Sequence, residues 1–143
     1  MTRSFVDTNV LVYRFDEADP GKQQVARDLL RDPEPGSLVL STQVLQEFYA
    51  VATRKLATPL SEGEATQAID HLSELPVVGS DATFVRDAIR LSRRAQLSIW
   101  DALVVQAAAS AQCERILTED LSHGTVIDGV GVHNPFAGVG SAS

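Results

Sequence analysis

Cysteine is almost missing from this chain of 143 residues: Cys113 stands alone, which excludes an internal disulfide and any multi-cysteine zinc site. Redox chemistry has no partner thiol. Long apolar runs are missing too. No segment approaches the roughly 20 consecutive apolar residues of a membrane span, and the N-terminus lacks the charged, apolar, small-residue order of a signal peptide. A soluble, cytoplasmic chain without membrane contact is the expectation. Histidine is scarce, and His71, His123 and His133 lie far apart without ligand spacing, which argues against a histidine metal site. Positive charge is in deficit as well: 12 Lys and Arg against 19 Asp and Glu leave a net charge of −7. That balance argues against gripping nucleic acid through the overall field, unless several acids are metal ligands, because bound dications reverse the local field.

What is present is one domain's worth of core, 44% apolar residues, with no internal repeat or linker. A single domain over 1–137 is expected, with 138–143 as a loose tail of small residues. Strand-like runs recur at Ser4-Phe5-Val6, Leu38-Val39-Leu40, Pro76-Val77-Val78, Arg115-Ile116-Leu117 and Thr125-Val126, separated by stretches of helical periodicity. Asp19-Pro20 starts a helix over 20–31, Ser41 or Thr42 caps a second, and Ser61-x-x-Glu64 is a capping box for a third. Ser80 or Asp81 caps a fourth, and Ser98 opens a fifth that is apolar nearly all round and therefore central. Strands alternating with helices predict an α/β fold: a three-layer α/β/α sandwich with a mostly parallel central sheet.

In such sheets ligands bind beyond the carboxyl ends of the strands. The first strand ends in Asp7-Thr8-Asn9, the second in Ser41-Thr42, and the fourth in Thr118-Glu119-Asp120, so acids and hydroxyls collect on one edge. Two further acids sit among apolar helical neighbours: Glu47 with Val44, Ala50 and Val51, and Asp101 with Val105 and Ala108. A carboxylate on a core-facing surface needs a cation, a hydrogen-bonded partner or a proton. Taken singly, Asp7 has the alternative of a turn residue, Asp101 of a cap, Asp120 of a loop acid and Glu47 of a partner for Arg54. Taken together, Asp7, Glu47, Asp101 and Asp120, with Thr8, Asn9, Ser41 and Thr118 to orient them, suit a hard cation such as Mg²⁺ or Mn²⁺.

These segments resemble the PIN-domain nucleases, and among them the VapC-like toxins of bacterial toxin–antitoxin pairs. Phe5-Val6-Asp7-Thr8-Asn9-Val10-Leu11 is similar to the family's opening motif, Ser41-x5-Glu47-Phe48 to its second, Ser98-Ile99-Trp100-Asp101-Ala102-Leu103 to its third and Leu117-Thr118-Glu119-Asp120 to its fourth. The resemblance implies that Asp7, Glu47, Asp101 and Asp120 are catalytic, metal-coordinating acids of an Mg²⁺- or Mn²⁺-dependent endoribonuclease. It also implies a cognate antitoxin, for which Phe48 and Tyr49 beside Glu47 offer an anchor, and a homodimer is expected. The chain departs from the commoner pattern, in which an aromatic closely follows the fourth acid. Here Leu121-Ser122-His123-Gly124 leads to Asn134-Pro135-Phe136, as in one branch of those toxins, and the fourth place stays open between Asp120 and Glu119. One ion and two both fit.

Arg86, Arg90, Arg93 and Arg94 share one helical face just before the Asp101 segment and are candidates for an RNA backbone, with a solvated face paired to Asp87 as the alternative. Arg54 and Lys55 are a second such candidate. Trp100 is a packing residue or a stacking platform for an unpaired base. A haloacid-dehalogenase-like phosphatase would need an acid two residues after Asp7, and that position is Asn9. A non-catalytic PIN-like interaction module remains the other rival.

Overall fold

A computed structural model describes residues 1–139. In chain order the elements are β1 (Ser4–Val6), α1 (Thr8–Tyr13), α2 (Pro20–Leu30), β2 (Leu38–Ser41), α3 (Thr42–Ala52), α4 (Glu62–Leu72), β3 (Val77–Val78), α5 (Ala82–Ala95), α6 (Ile99–Ser110), β4 (Arg115–Leu117), β5 (Val126–Ile127) and β6 (Val130–His133). The strands form one sheet in the order β3-β2-β1-β4-β6-β5, parallel except for β5. Helices cover both sides. The expected α/β/α sandwich with a mostly parallel sheet is therefore the observed one. β1 and β2 are buried along their whole length, as parallel strands covered on both faces must be.

The caps fall where side-chain chemistry puts them. Asp19, Ser41, Asp81 and Ser98 each accept a backbone N–H from the first turn of the following helix, and Ser61 with Glu64 forms the reciprocal capping box. The central helix α6 buries Ala102, Val104, Val105, Ala107 and Ala108, small residues that let it lie against β1, β2, β4 and β6.

Two elements are additional to the expected set. α1 is a run of Thr-Asn-Val-Leu-Val-Tyr, whose β-branched residues are weak helix formers. Burial of Val10 and Leu11 and packing on α2 and α3 hold it instead. β6 contains Gly131 and looks weak in isolation, yet it pairs with β4 in parallel through Arg115, Ile116 and Leu117. β5 reaches β6 through Asp128 (φ 51°) and Gly129 (φ 81°), two left-handed residues of the kind a tight hairpin requires. The strand expected at Thr125-Val126 lies one residue later. Of the expected tail, Gly138 and Val139 are described, with the Val139 N–H donating to the Phe136 carbonyl at 3.0 Å; 140–143 lie outside the described residues.

The strand order reverses at β1. The chain steps outward from β1 through β2 to β3, then returns to place β4 on β1's other side, so the crevice between the carboxyl ends of β1 and β4 is the natural place for a ligand.

Candidate active site

Asp7 stands at that crevice. Its N–H donates to the Leu117 carbonyl at 3.0 Å, which continues the β1–β4 pairing, and it is the N-cap of α1. One carboxylate oxygen accepts the Thr8 N–H at 2.7 Å and the other accepts the Thr118 hydroxyl at 2.8 Å. Asp7 is only 7% exposed. Burial pushes its pKa up from 3.8 to about 6, against the pull of those two hydrogen bonds, and the charges of Asp120 and Glu47 push the same way. Among the described residues no basic side chain forms an ion pair with it.

Thr118, fully buried at the end of β4, is the junction of the site. Its hydroxyl donates to Asp7 and accepts from the Asn9 side-chain amide (3.1 Å) and the Asp120 N–H (3.1 Å). The same Asn9 amide reaches Asp120 Oδ2 at 3.1 Å, while Asn9 Oδ1 accepts the Glu119 N–H at 3.3 Å. Asn9 thus ties the first turn of α1 to the loop after β4. Across the cleft Glu47 on α3 accepts the Thr8 hydroxyl at 3.0 Å and the Gln43 amide at 2.8 Å. Glu47 is half-buried: Val44 on its face is core, whereas Ala50 is exposed, so that face is a boundary rather than wholly apolar.

Glu119 and Asp120 both line the cleft, and packing gives them different partners. Glu119 is held by the Tyr13 hydroxyl at 2.7 Å and the Lys22 ammonium at 2.9 Å, and the Lys22 ammonium also lies 4.8 Å from the Tyr13 ring centroid. Asp120 is the acid beside Asp7. Asp101 sits in the first turn of α6, where its N–H donates to the Ser98 hydroxyl at 3.1 Å. It is not among the charges that raise Asp7 and does not line the cleft, but its helix start is drawn to α3 by Gln43, whose amide also reaches the Trp100 carbonyl at 3.4 Å. Ser41 acts on Glu47 indirectly, by capping α3 through the Val44 N–H at 3.3 Å.

Above the acids lies a cleft of about 340 Å³. Thr8, Asn9, Asp16, Glu47, Glu119 and Asp120 form its polar side, and Val12, Val51 and Leu56 its apolar side. Lys55 is the one cation on its wall. Gln43, Tyr13 and Lys22 were not among the expected site residues. Gln43 lies one turn before Glu47, the only signal that singles it out; Tyr13 and Lys22 carry no local signal.

The four arginines of α5 are exposed, and none lines the cleft. Arg90 pairs with Asp87 and Arg94 with Asp128, both at 3.1 Å. Phe48 is fully buried, 5.6 Å from Phe15 between ring centroids, and is core rather than an anchor. Trp100 is 64% exposed, so it is not a packing residue. His123 and His133 do meet, with ring centroids 5.3 Å apart, but His123 Nδ1 is taken by the Asn134 N–H at 2.9 Å.

The carboxylate oxygens brought together at Asp7, Glu47 and Asp120 are hard donors of the type Mg²⁺ or Mn²⁺ takes. Among the described residues, no three acidic, histidine or cysteine side chains stand close enough to enclose an ion as they are. Like charges in one crevice repel, and here each is held off by its own amide or hydroxyl donor.

A family model of the PIN domain matches residues 4–125, and the chain belongs to that family, whose members are nucleases. Comparison with curated proteins finds no match. Among solved structures, a toxin–antitoxin complex from Klebsiella pneumoniae superposes with a TM-score of 0.68 at 18% identity, covering 92% of this chain and 97% of that one. VapC20 of Mycobacterium tuberculosis, described as a sarcin-ricin loop cleaving toxin, gives 0.66 at 20% identity over 82% and 89%. VapBC2 of Rickettsia felis, bound to a DNA fragment from its promoter, gives 0.62 at 16% over 93% and 98%. At these identities the likeness is one of fold.

Proposed function

We propose that this chain is an Mg²⁺- or Mn²⁺-dependent endoribonuclease and the toxin of a toxin–antitoxin pair. The observation that carries this reading is Asp7: a carboxyl at the switch point of a parallel sheet, raised chiefly by its burial and further by Asp120 and Glu47, with no basic group paired to it among the described residues. A metal ion explains why the fold retains that arrangement. Asp7, Glu47, Asp120 and Asp101 are the residues that would hold it, and among PIN nucleases divalent metals are general. When bound, such an ion supplies a Lewis acid that activates water for in-line attack on a phosphodiester and offsets the charge developing there.

The chain's own residues prepare this chemistry. Thr118 and the Thr8 N–H fix both oxygens of Asp7, Thr8 and Gln43 fix both oxygens of Glu47, and Asn9 orients Asp120. Lys22 and Tyr13 draw Glu119 aside, leaving Asp120 for the ion. RNA as substrate is supported by VapC20, named for cleaving the sarcin-ricin loop. An antitoxin is supported by the relatives solved as toxin–antitoxin complexes. The apolar side of the cleft beside its acids suits a partner that packs aliphatic side chains on Val12, Val51 and Leu56 and directs an arginine to the carboxylates. Val85 and Ile89, one turn apart and exposed on α5, are the surface available for a homodimer. A phosphatase using Asp7 as nucleophile is disfavoured, because both its oxygens are already hydrogen-bonded and Asn9 presents an amide where an acid is needed.

Cleavage of a pooled RNA with Mn²⁺, with end mapping and Asp7→Asn as control, tests the reading. Internal cuts bearing 5′-phosphates, lost with EDTA and in Asp7→Asn, are expected. Cutting that survives both conditions overturns it.

A further inference from the structure

A second cavity, also about 340 Å³, lies between the end of α1 and the C-terminal half of α2. Its walls carry Arg14, Arg27 and Arg31, with Asp32 as the one acid. None of the three arginines forms an ion pair among the described residues, although the chain as a whole has seven more acids than bases by its net charge of −7. We propose that this cavity binds a phosphate group and that its occupant is a backbone phosphate of the RNA strand whose scissile bond lies in the acid cleft; the choice of RNA rests on the nuclease reading.

Geometry places the three groups without effort. Arg14 follows the last residue of α1 and is half-buried, its guanidinium carbon 5.4 Å from the Phe15 ring centroid. Its carbonyl accepts the Gln23 amide at 3.2 Å, which fastens α2 to it. Arg27 lies in α2 one turn beyond Gln23, Arg31 is the extended C-cap that ends the helix, and both line the cavity at close spacing. Like charges at that spacing repel, and helix C-termini favour cations; that is the purely structural account of these arginines. It falls short. Within this cavity three guanidiniums against Asp32 leave +2, and two helix ends of roughly half a charge each leave it positive, while Glu17 and Glu64 share an adjoining cavity with Arg14 and Arg27. Planar guanidiniums forking into one cavity match phosphate oxygens.

The position suits the acid cleft as well. Asp7 caps the start of α1 and Arg14 caps its end, so the two lie roughly 10 Å apart along the helix. Tyr13, immediately before Arg14, lines the cleft. A strand engaged at the acids therefore passes the end of α1, where a basic pocket anchors the phosphates flanking the cut while the acidic crevice repels them.

The test uses an Asp7→Asn background, so that binding is read without cleavage, and compares it with the same protein carrying Arg27→Gln and Arg31→Gln. Affinity for an unstructured RNA strand is measured against salt, and inorganic phosphate is titrated against melting temperature. Loss of two phosphate contacts lowers the salt slope by about 1.4, and phosphate stabilises the parent but not the double variant. Arg27→Lys with Arg31→Lys keeps the charges and restores most of the slope, which separates lost contacts from misfolding. If parent and double variant show the same salt slope and the same response to phosphate, the pocket is refuted, whatever the wild-type protein cleaves. If the parent ignores RNA yet phosphate protects it through these arginines, the pocket stands for free phosphate and the RNA assignment is overturned.

Discussion

Replacing Asp7 by Asn should stabilise the metal-free protein at neutral pH, although it removes the residue on which the site is built. The carboxyl is raised from 3.8 to about 6. A group whose folded pKa is raised contributes stability fully below pH 3.8 and loses that contribution as pH rises through about 6. The gap corresponds to roughly 3 kcal/mol at 1.36 kcal/mol per pH unit, all of it acting against the folded state at pH 7.5. Asn escapes that cost and keeps an oxygen for the Thr8 N–H. It loses at Thr118, whose hydroxyl already accepts from Asn9 and the Asp120 N–H and donates to Asp7. An amide placed opposite it makes one hydrogen bond fewer, at about 1–2 kcal/mol. The net gain is then about 1–2 kcal/mol, or about 5 °C in melting temperature for a chain of this size. Thermal unfolding in EDTA at pH 7.5 and at pH 4.5 reads it. The gain should shrink or reverse at pH 4.5, where wild-type Asp7 is protonated, and Mn²⁺ at pH 7.5 should stabilise the wild type alone. An Asn variant less stable at pH 7.5, or a gain independent of pH, would refute this account of the buried carboxyl.

Thr118→Val keeps the shape of a fully buried residue but removes the acceptor of Asn9 and Asp120 and the donor to Asp7; urea unfolding should show a loss of about 2–3 kcal/mol, larger than for any exposed threonine. Lys22→Met leaves Glu119 and Tyr13 without their cation and should cost about 1 kcal/mol in the same assay, while weakening Mn²⁺ affinity because Glu119 is freed to compete with Asp120. Burial pushes the Cys113 thiol up to about 11, so a thiol reagent at pH 8 should label the native protein far more slowly than the urea-unfolded chain. Arg94→Ala breaks an exposed pair with Asp128 and should change stability by less than about 1 kcal/mol.

Most of the architecture was legible because it is written in local chemistry. Caps at Asp19, Ser41, Ser61, Asp81 and Ser98 and buried β-branched runs each specify an element from its own residues. What escaped depends on partners distant in sequence. α1 is helical because α2 and α3 bury it, and β6 is a strand because β4 pairs with it, although Asp128-Gly129 between apolar residues was a hairpin signal open to reading. At the site, Asp7 and Asp120 could be placed together from strand ends alone. That Glu119 is taken up by Tyr13 and Lys22 while Asp120 is not could not be read, since those partners lie more than 90 residues earlier. The apolar face assigned to Glu47 was half right for the same reason, since Ala50 is exposed, whereas Val105 and Ala108 beside Asp101 are both buried. The arginines of α5 lie on the exposed helical face that their spacing predicts, with Arg90 and Arg94 in surface pairs.

The proposed nuclease activity requires that Asp7, Glu47, Asp101 and Asp120 together hold a divalent metal ion. Calorimetric titration of Mn²⁺ into the wild type and into Asp7→Asn, Glu47→Gln, Asp101→Asn and Asp120→Asn tests it most directly. Saturable binding to the wild type, abolished in Asp7→Asn and weakened at least tenfold in each of the others, about 1.4 kcal/mol apiece, is the result expected. Undiminished binding in Asp7→Asn, or no saturable binding to the wild type, would contradict it.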